Sequence, residues 1–205
     1  SLVGSEMCIR DRAQLTDEDL HLLFNTRTVS EFEDVEVTED QKRAMYELAK
    51  MGPTAFNSQP LHVVWVEKGE NRDRLVSHMM TGNQPKTSGA PLVAVLAVDT
   101  KWHHKFDKFL PARPQMGQMY LDNPELAAST GRDNAFIQVG YFVMAVRALG
   151  LAAGPMTGFD PAGVDEDLLA GTDLNSLVVV NIGKGVDPAY DRSPRYAYEE
   201  STTTL

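Results

Sequence analysis

The stretch GPTAFNSQPLHVVWV, residues 52–66, combines the end of a helix, a polar loop and the start of a strand. Glycine can adopt the left-handed conformation that caps helices, and proline cannot continue a helix, so Gly52 and Pro53 predict a helix end. The loop then offers neutral donors and acceptors at Thr54, Asn57, Ser58 and Gln59. Such a loop suits a flat polar heterocycle better than a phosphate or a metal. An ordinary surface connection is the alternative.

Outward from this loop, the apolar periodicity and the turn residues predict alternating helices and strands. A capping box at Thr38–Gln41 starts the helix that ends at Gly52. The longest predicted helix covers residues 123–149. Its second half is apolar around nearly its whole circumference, so it must be buried in the core, at a subunit interface, or both. The predicted strands are 61–67, 90–99 and 176–183, and the predicted helices are 16–24, 38–51, 71–80, 123–149 and 160–169.

Length and composition predict one domain over residues 13–205 with a sizeable core, because 205 residues are 42% hydrophobic. Nineteen basic against 29 acidic residues give a net charge of −10. This charge disfavours nucleic acid and anionic membrane as partners. The single cysteine, Cys8, excludes an internal disulfide and fits a reducing compartment, which favours a cytoplasmic location.

The first residues, SLVGSEMCIRDR, show neither helical nor strand periodicity. They also lack the apolar core of a signal peptide. We predict that residues 1–12 form a disordered tail or a non-native stub, so that fold reasoning starts near Ala13.

The loop 52–62 resembles the Pro-Ser-x-x-Asn-x-Gln-Pro loop of the nitroreductase family of FMN-dependent enzymes, with Pro53, Thr54 and Asn57 at the matching positions. Further upstream, NTRTVSEF, residues 25–32, resembles the Arg-Arg-Ser-x-Arg-x-Phe segment of that family, which holds the FMN phosphate and ribityl chain. Arg27 and Thr28 match this segment. Ser30 stands where the family has a base, which implies one cation fewer near the flavin.

Three further stretches agree with the family in its order. The spacing of Asn83 and Lys86 is similar to the pair that faces the flavin pyrimidine ring, where a lysine would stabilise negative charge. LAAGPMTGFD, residues 151–160, is similar to the segment whose backbone amides lie against the flavin, with Thr157 and Gly158 at the matching positions. In the tail, the resemblance assigns Arg192 and Arg195 to the phosphate site.

The resemblance implies an α+β fold of three layers, in which a central, mostly antiparallel sheet is flanked by helices. It implies an intertwined homodimer with FMN bound in the interface. NADH or NADPH would reduce FMN, and an aldehyde, nitro compound or quinone would then reoxidise it, with no catalytic side chain required. Within the family, the stretches GPTAFNSQP, LGLAAGPMTGFD and DRSPR look most like the malonic semialdehyde reductase branch, which forms 3-hydroxypropanoate. The alternatives are a broad nitro or quinone reductase and a non-catalytic flavin-binding protein.

Two other segments need an interpretation. Residues 102–123 mix aromatics, cations and two prolines without a clean period, which predicts a mobile lid or an insertion. Its Lys105 and Arg113, or Arg132 beyond it, could bind an acidic acceptor. Adjacent His103 and His104 point apart in regular structure, so we do not predict a metal site. The Gly-Lys-Gly at 183–185 lacks the third glycine and the helix of a Rossmann dinucleotide site.

Overall fold

The computed structural model describes residues 14–188 and 190–205. The N-terminal stub predicted at 1–12, with Cys8, lies outside the described residues. The helices are α1 Asp17–Leu20, α2 Glu39–Ala49, α3 Glu70–His78, α4 Gln84–Gly89, α5 Phe106–Phe109, α6 Gln118–Leu121, α7 Pro124–Ala148, α8 Pro161–Leu168 and α9 Tyr198–Ser201. The strands are β1 Leu61–Val66, β2 Leu92–Asp99, β3 Ala152–Met156 and β4 Leu174–Gly183.

The four strands form one antiparallel sheet in the order β1-β2-β4-β3. All eight residues of β2 are buried, as its continuous apolar run predicts. Their side chains alternate between two cores: Ala94 and Leu96 pack with Met45 of α2 and Phe142 of α7, whereas Val93 and Val95 pack on the opposite face of the sheet. That opposite face is covered by α3 and α8 through Leu75 and Val164. The predicted three-layer α+β fold with an antiparallel sheet is confirmed.

The sequence missed one of these strands. β3 follows α7 after Gly150, whose φ of +74° ends the helix in the left-handed conformation. Its sequence AAGPM lacks the β-branched and aromatic residues that mark strands. β3 forms because its backbone pairs along the edge of β4, from Ala152 opposite Gly183 to Met156 opposite Val179.

The prediction that Gly52 ends α2 in the left-handed conformation was wrong. Gly52 has no positive φ. A Cβ atom at this position would lie 2.6 Å from Cγ of Tyr141 on α7, far inside van der Waals contact. Glycine is therefore required because the end of α2 passes close to an aromatic ring of α7.

The segment predicted as a lid or insertion forms short helical turns at Trp102–Lys105, Phe106–Phe109, Pro114–Gly117 and Gln118–Leu121. Trp102, Phe106 and Tyr120 are buried in a small core of their own, together with Ala127 of α7. Its aromatic residues are thus packing residues, and turns this short leave no clear period in the sequence.

Within the described ranges, no helix is both long and apolar enough to cross a membrane.

Candidate functional site

The loop between α2 and β1 has a strained backbone. Phe56, Asn57 and Gln59 have φ angles of 55°, 54° and 45°, in the left-handed region that residues other than glycine rarely occupy. No other non-glycine residue in the described part of the chain has a positive φ. Each such conformation costs about 1–3 kcal/mol and persists only where its surroundings enforce it. This concentration of strain marks the loop as a candidate binding segment.

Two buried amides on α7 hold this loop. The Ala55 N–H donates to Asn134 Oδ1 at 2.6 Å, and the Leu61 N–H donates to Gln138 Oε1 at 3.0 Å. Both amide side chains are buried. Neither residue was predicted as an anchor, although a polar residue such as Gln138 inside an otherwise apolar helix is a signal of a buried hydrogen bond.

The loop residues predicted to bind the cofactor lie at the surface of this anchored segment. Thr54 Oγ1 accepts from the Gln59 N–H at 3.2 Å, and Gln59 Nε2 donates to Asn57 Oδ1 at 2.9 Å. Asn57 Nδ2 donates to the Phe109 carbonyl at 3.0 Å. Pro53 and Asn57 are exposed, and Thr54 is half-buried. The loop therefore presents its backbone and amide groups outward in a fixed conformation.

Asn83 and Gly158, which the resemblance assigns separately to the flavin, contact each other in the structure. Asn83 Nδ2 donates to the Gly158 carbonyl at 2.8 Å, and the Met80 N–H donates to the same oxygen at 3.0 Å. A Cβ atom at Gly158 would lie 2.5 Å from Asn83 Nδ2. Only glycine allows this close approach.

The turn after β3 leaves hydrogen-bond donors free. Within the described residues, the N–H groups of Thr157 and Gly158 donate to no protein acceptor. Lys86 follows Asn83 by three residues on α4, is half-buried and has no ion pair to a described residue. Free backbone donors and an unpaired cation suit a ligand edge that carries negative charge.

An ion-pair cluster between α3 and α8 lies close to this turn in the chain. Asp167 of α8 accepts from Arg74 at 2.6 Å and lies 3.0 Å from His78 Nε2, both on α3. Arg74 first and His78 second lower the pKa of Asp167 below its usual range. Met79, directly after His78, forms a β-bridge with Phe159. The cluster thereby ties together α3, α8 and the turn at Gly158.

The N-terminal segment and the C-terminal tail form a cationic region. Arg27 donates to the Tyr190 carbonyl at 2.5 Å and stacks on the Tyr190 ring at 4.9 Å. Arg192 donates to the Asn25 carbonyl at 2.5 Å. Burial, and secondarily the positive charge of Arg192, lower the pKa of Arg147. Three guanidinium groups, each donating to a backbone carbonyl, therefore lie where the N-terminal segment meets the C-terminal tail.

The other residues predicted for the phosphate site are Thr28, Ser30 and Arg195. Thr28 lies beside β3, where a Cβ atom at Gly154 would be 3.8 Å from its methyl group. Ser30 is exposed. Arg195 is also exposed and donates to the carbonyls of its own neighbours, Ser193 and Pro194, at 2.9 and 3.1 Å.

The sheet order separates the candidate residues into two sets. The strained loop leads into β1, at one edge of the sheet, whereas Thr157 and Gly158 follow β3, at the other edge. Three strand spacings, about 14 Å, lie between these edges. One chain therefore does not bring the strained loop to the turn at Gly158.

Groups of three or more histidine, cysteine, aspartate or glutamate side chains able to hold a metal ion are absent from the described residues.

The model of the nitroreductase family matches residues 23–184, which is most of the chain. The chain belongs to the nitroreductase family. A family member from Streptomyces griseus, provisionally named an NADH dehydrogenase/NAD(P)H nitroreductase, is 48% identical over 186 residues, which cover 90% of this chain and 94% of that protein.

Solved structures of the family share the fold. A nitroreductase family protein from Streptococcus pneumoniae superposes with a TM-score of 0.79 at 21% identity, covering 91% of this chain and 99% of that chain. A provisionally named nitroreductase of Exiguobacterium sibiricum, crystallised in complex with FMN, gives a TM-score of 0.81 at 16% identity, covering 94% and 99%. The family predicted from five short motifs is confirmed.

Proposed function

We propose that this nitroreductase-family chain is an NAD(P)H-dependent oxidoreductase that uses FMN. The observation that carries the proposal is the turn at Thr157–Gly158, where two unpaired N–H groups lie beside Asn83. The FMN complex of the Exiguobacterium relative and the NAD(P)H nitroreductase name of the Streptomyces relative support it. When bound, FMN supplies hydride transfer from NADH or NADPH to an acceptor.

The residues present fit such a cofactor. Arg27 and Arg192 would hold the phosphate, because guanidinium groups form charge-assisted hydrogen bonds with phosphate oxygens. Thr28, Ser30 and Arg195 would complete that end. The N–H groups of Thr157 and Gly158 and the Lys86 ammonium would bind the polar edge of the ring system and stabilise negative charge there.

We further propose that the protein acts as a homodimer. Pro53, Thr54 and Asn57 lie on the sheet edge opposite to Gly158, so a ring system that contacts both sets would lie between two copies. One exposed apolar face of the chain is available for such an interface. It consists of Leu48 on α2, Met51 in the turn after α2, and Phe136, Ile137 and Tyr141 on α7.

The direct test is the visible absorption spectrum of the purified protein, followed by chromatography of the molecule that heat releases. We expect a yellow protein that releases FMN. Arg27→Ala with Arg192→Ala should weaken FMN binding at least about a hundredfold, since two charge-assisted hydrogen bonds are lost. Arg43→Ala, on the exposed side of α2, is the matched control. Unchanged FMN affinity in the double variant would contradict this placement of the phosphate.

For the acceptor, we propose malonic semialdehyde on sequence resemblance alone. Of the cations suggested for its carboxylate, Lys105 is paired with Asp99 at 2.5 Å and Arg132 stacks on Phe136. Arg113 is exposed. The name of the Streptomyces griseus relative, an NAD(P)H nitroreductase, favours the alternative of a nitro reductase.

The two acceptors are distinguished by reducing the protein anaerobically with NADPH or NADH and timing its reoxidation. Faster reoxidation by malonic semialdehyde than by a neutral nitroaromatic or a quinone supports the narrower proposal. The reverse order identifies the broad reductase. A protein whose FMN stays oxidised under excess NADPH and NADH would be a flavin-binding protein without turnover.

A further inference from the structure

The turn that follows β3 is joined by backbone hydrogen bonds to the end of α3. The Met80 N–H donates to the Gly158 carbonyl at 3.0 Å, and the Asp160 N–H donates to the His78 carbonyl at 2.8 Å. An antiparallel bridge joins the residues that lie between these two bonds. The position of the end of α3 therefore decides the position of the free N–H groups of Thr157 and Gly158.

The His78 side chain extends this contact from α3 to α8, the helix after the turn. His78 Nε2 lies 3.0 Å from Asp167 Oδ2, and only 22% of the His78 side chain is exposed. A Cβ atom at Gly163 would lie 2.5 Å from His78 Nδ1. The imidazole thus packs directly on the backbone of the first turn of α8, and only glycine leaves room for it there.

Arg74 fixes the carboxylate that His78 contacts. Its Nε and one terminal nitrogen lie 3.1 and 2.6 Å from Asp167 Oδ1, so Oδ1 accepts from Arg74 while Oδ2 faces His78. Charge-assisted hydrogen bonds of this kind are directional, which favours one orientation of α8 against α3. The side chains of Arg74 and Asp167 are 39% and 34% exposed, and ion pairs this exposed contribute little to stability. The pair can therefore be removed without unfolding the chain.

We propose that His78 and Asp167 are positioning residues for the flavin site, an inference that rests on the proposed function. Neither side chain is assigned a contact with FMN; together they hold the turn so that the N–H groups of Thr157 and Gly158 keep one direction. Hydrogen-bond donors stabilise a developing charge most when they are held in place before the charge develops. A misplacement of about 1 Å, even from a change distant from the ring, weakens that effect.

Amide hydrogen exchange in the purified protein, measured without and with added FMN, tests whether the pair holds the turn. Asp167→Asn removes the carboxylate charge with little change in size, so the amides of Met80 and Asp160 should exchange about fivefold faster than in the native protein. Glu166→Gln is the matched control, because Glu166 is the exposed neighbour on α8 and pairs with no cation among the described residues. Its exchange rates should stay within about twofold of the native ones. Native exchange rates in Asp167→Asn would overturn the proposal.

Gly163→Ala tests the same route without changing a charge. The added methyl group would displace the imidazole from the first turn of α8, although alanine is the better helix former. Titration by fluorescence quenching should give a dissociation constant for FMN about tenfold above the native value in both Gly163→Ala and Asp167→Asn. The midpoint potential of bound FMN should also fall, because the N–H groups of the turn stabilise negative charge on the reduced ring. Glu166→Gln should leave both quantities unchanged.

These measurements distinguish a failure of the positioning role from a failure of the proposed function. A native protein that binds no added FMN contradicts the proposed function, and this inference with it. If the native protein binds FMN and both variants keep the native dissociation constant and midpoint potential, the positioning role alone is overturned. Weaker binding with an unchanged midpoint potential would also overturn it, since a loss of fold stability alone gives that result.

Discussion

Arg72 is a fully buried guanidinium, only 2% exposed, whose partners are backbone carbonyls. It donates to Val66 at 2.5 Å, to Ala90 at 2.8 Å and to Thr87 at 3.0 Å. Burial lowers the pKa of Arg72 to about 10, so it stays charged at neutral pH. One side chain thereby ties the end of β1 to the segment that leads into β2.

Replacing Arg72 by methionine should lower the free energy of unfolding by about 3–4 kcal/mol, because three buried carbonyls lose their donor while the apolar volume is largely kept. Chemical denaturation measures this change. Arg43→Met, on the exposed side of α2, should change stability by no more than about 0.5 kcal/mol. Equal stability of the two variants would show that water replaces the guanidinium.

His62 should make stability depend on pH in a defined window. Partial desolvation lowers the pKa of His62, whose side chain is 45% exposed, and outweighs the opposite effect of Asp99, with Lys105 lowering it further. The unfolded chain therefore binds a proton at His62 more readily than the folded chain does. This contribution to stability is fully present above about pH 6.5 and is lost as pH falls through the folded-state pKa. In His62→Gln, denaturation curves between pH 7 and 5 should lose part of the native slope. An identical slope would mean that His62 titrates normally.

Motif residues and buried polar residues differ in how far the sequence predicts them. Asn83 and Gly158 were assigned to the cofactor from neighbouring motifs, and that assignment stays a prediction; the structure shows that Asn83 Nδ2 donates to the Gly158 carbonyl at 2.8 Å. Arg72 and Asn134 were not found, since each sits on a helix where a solvated polar residue has the same local sequence. Their roles arise from carbonyl and amide groups distant in the chain.

At the scale of elements, Trp102 in the segment after β2 packs closely against α7. Trp102 Nε1 donates to the Ala127 carbonyl at 3.0 Å. A Cβ atom at Gly131, one turn further along α7, would lie 2.4 Å from the same Nε1. Glycine in a helix interior costs about 1 kcal/mol relative to alanine. The contact with the indole is therefore the structural reason for glycine here.

Gly131→Ala should lower the free energy of unfolding by about 1–3 kcal/mol despite its better helix propensity, because the indole must move out of a packed core. Combining it with Trp102→Phe tests the cause. The smaller ring leaves room, so alanine at 131 should cost less in that background than in the native one, as a double-mutant cycle measures. Equal costs in both backgrounds would place the strain elsewhere.

Elements were predictable where their periodicity is strong. β1, β2, β4 and α7 follow from apolar runs and caps, and all four are present within a few residues of the expected limits. β3 and the helical turns of 102–121 are held by pairing with β4 and by aromatic packing, which local sequence does not encode.

At the scale of the whole molecule, the proposed flavin site needs two chains. The strained loop and the turn at Gly158 occupy opposite sheet edges. Large apolar side chains near the end of α2 and on α7 are exposed in the single chain, with Met51 74% and Ile137 46% exposed. If each site takes its loop from one subunit and its arginines from the other, two different defects on separate chains can complement each other.

Co-expression tests this arrangement directly. One chain carries Arg27→Ala and Arg192→Ala, the other Thr54→Ala and Asn57→Ala, and each variant alone should retain little FMN. Random pairing in equal amounts makes half of the dimers mixed, and each mixed dimer has one intact site, so about a quarter of the native FMN content should return. Flavin absorbance per chain measures it. Because a site built within one subunit would be damaged in every chain of the mixture, a mixture without FMN would contradict the shared site while leaving the family membership untouched.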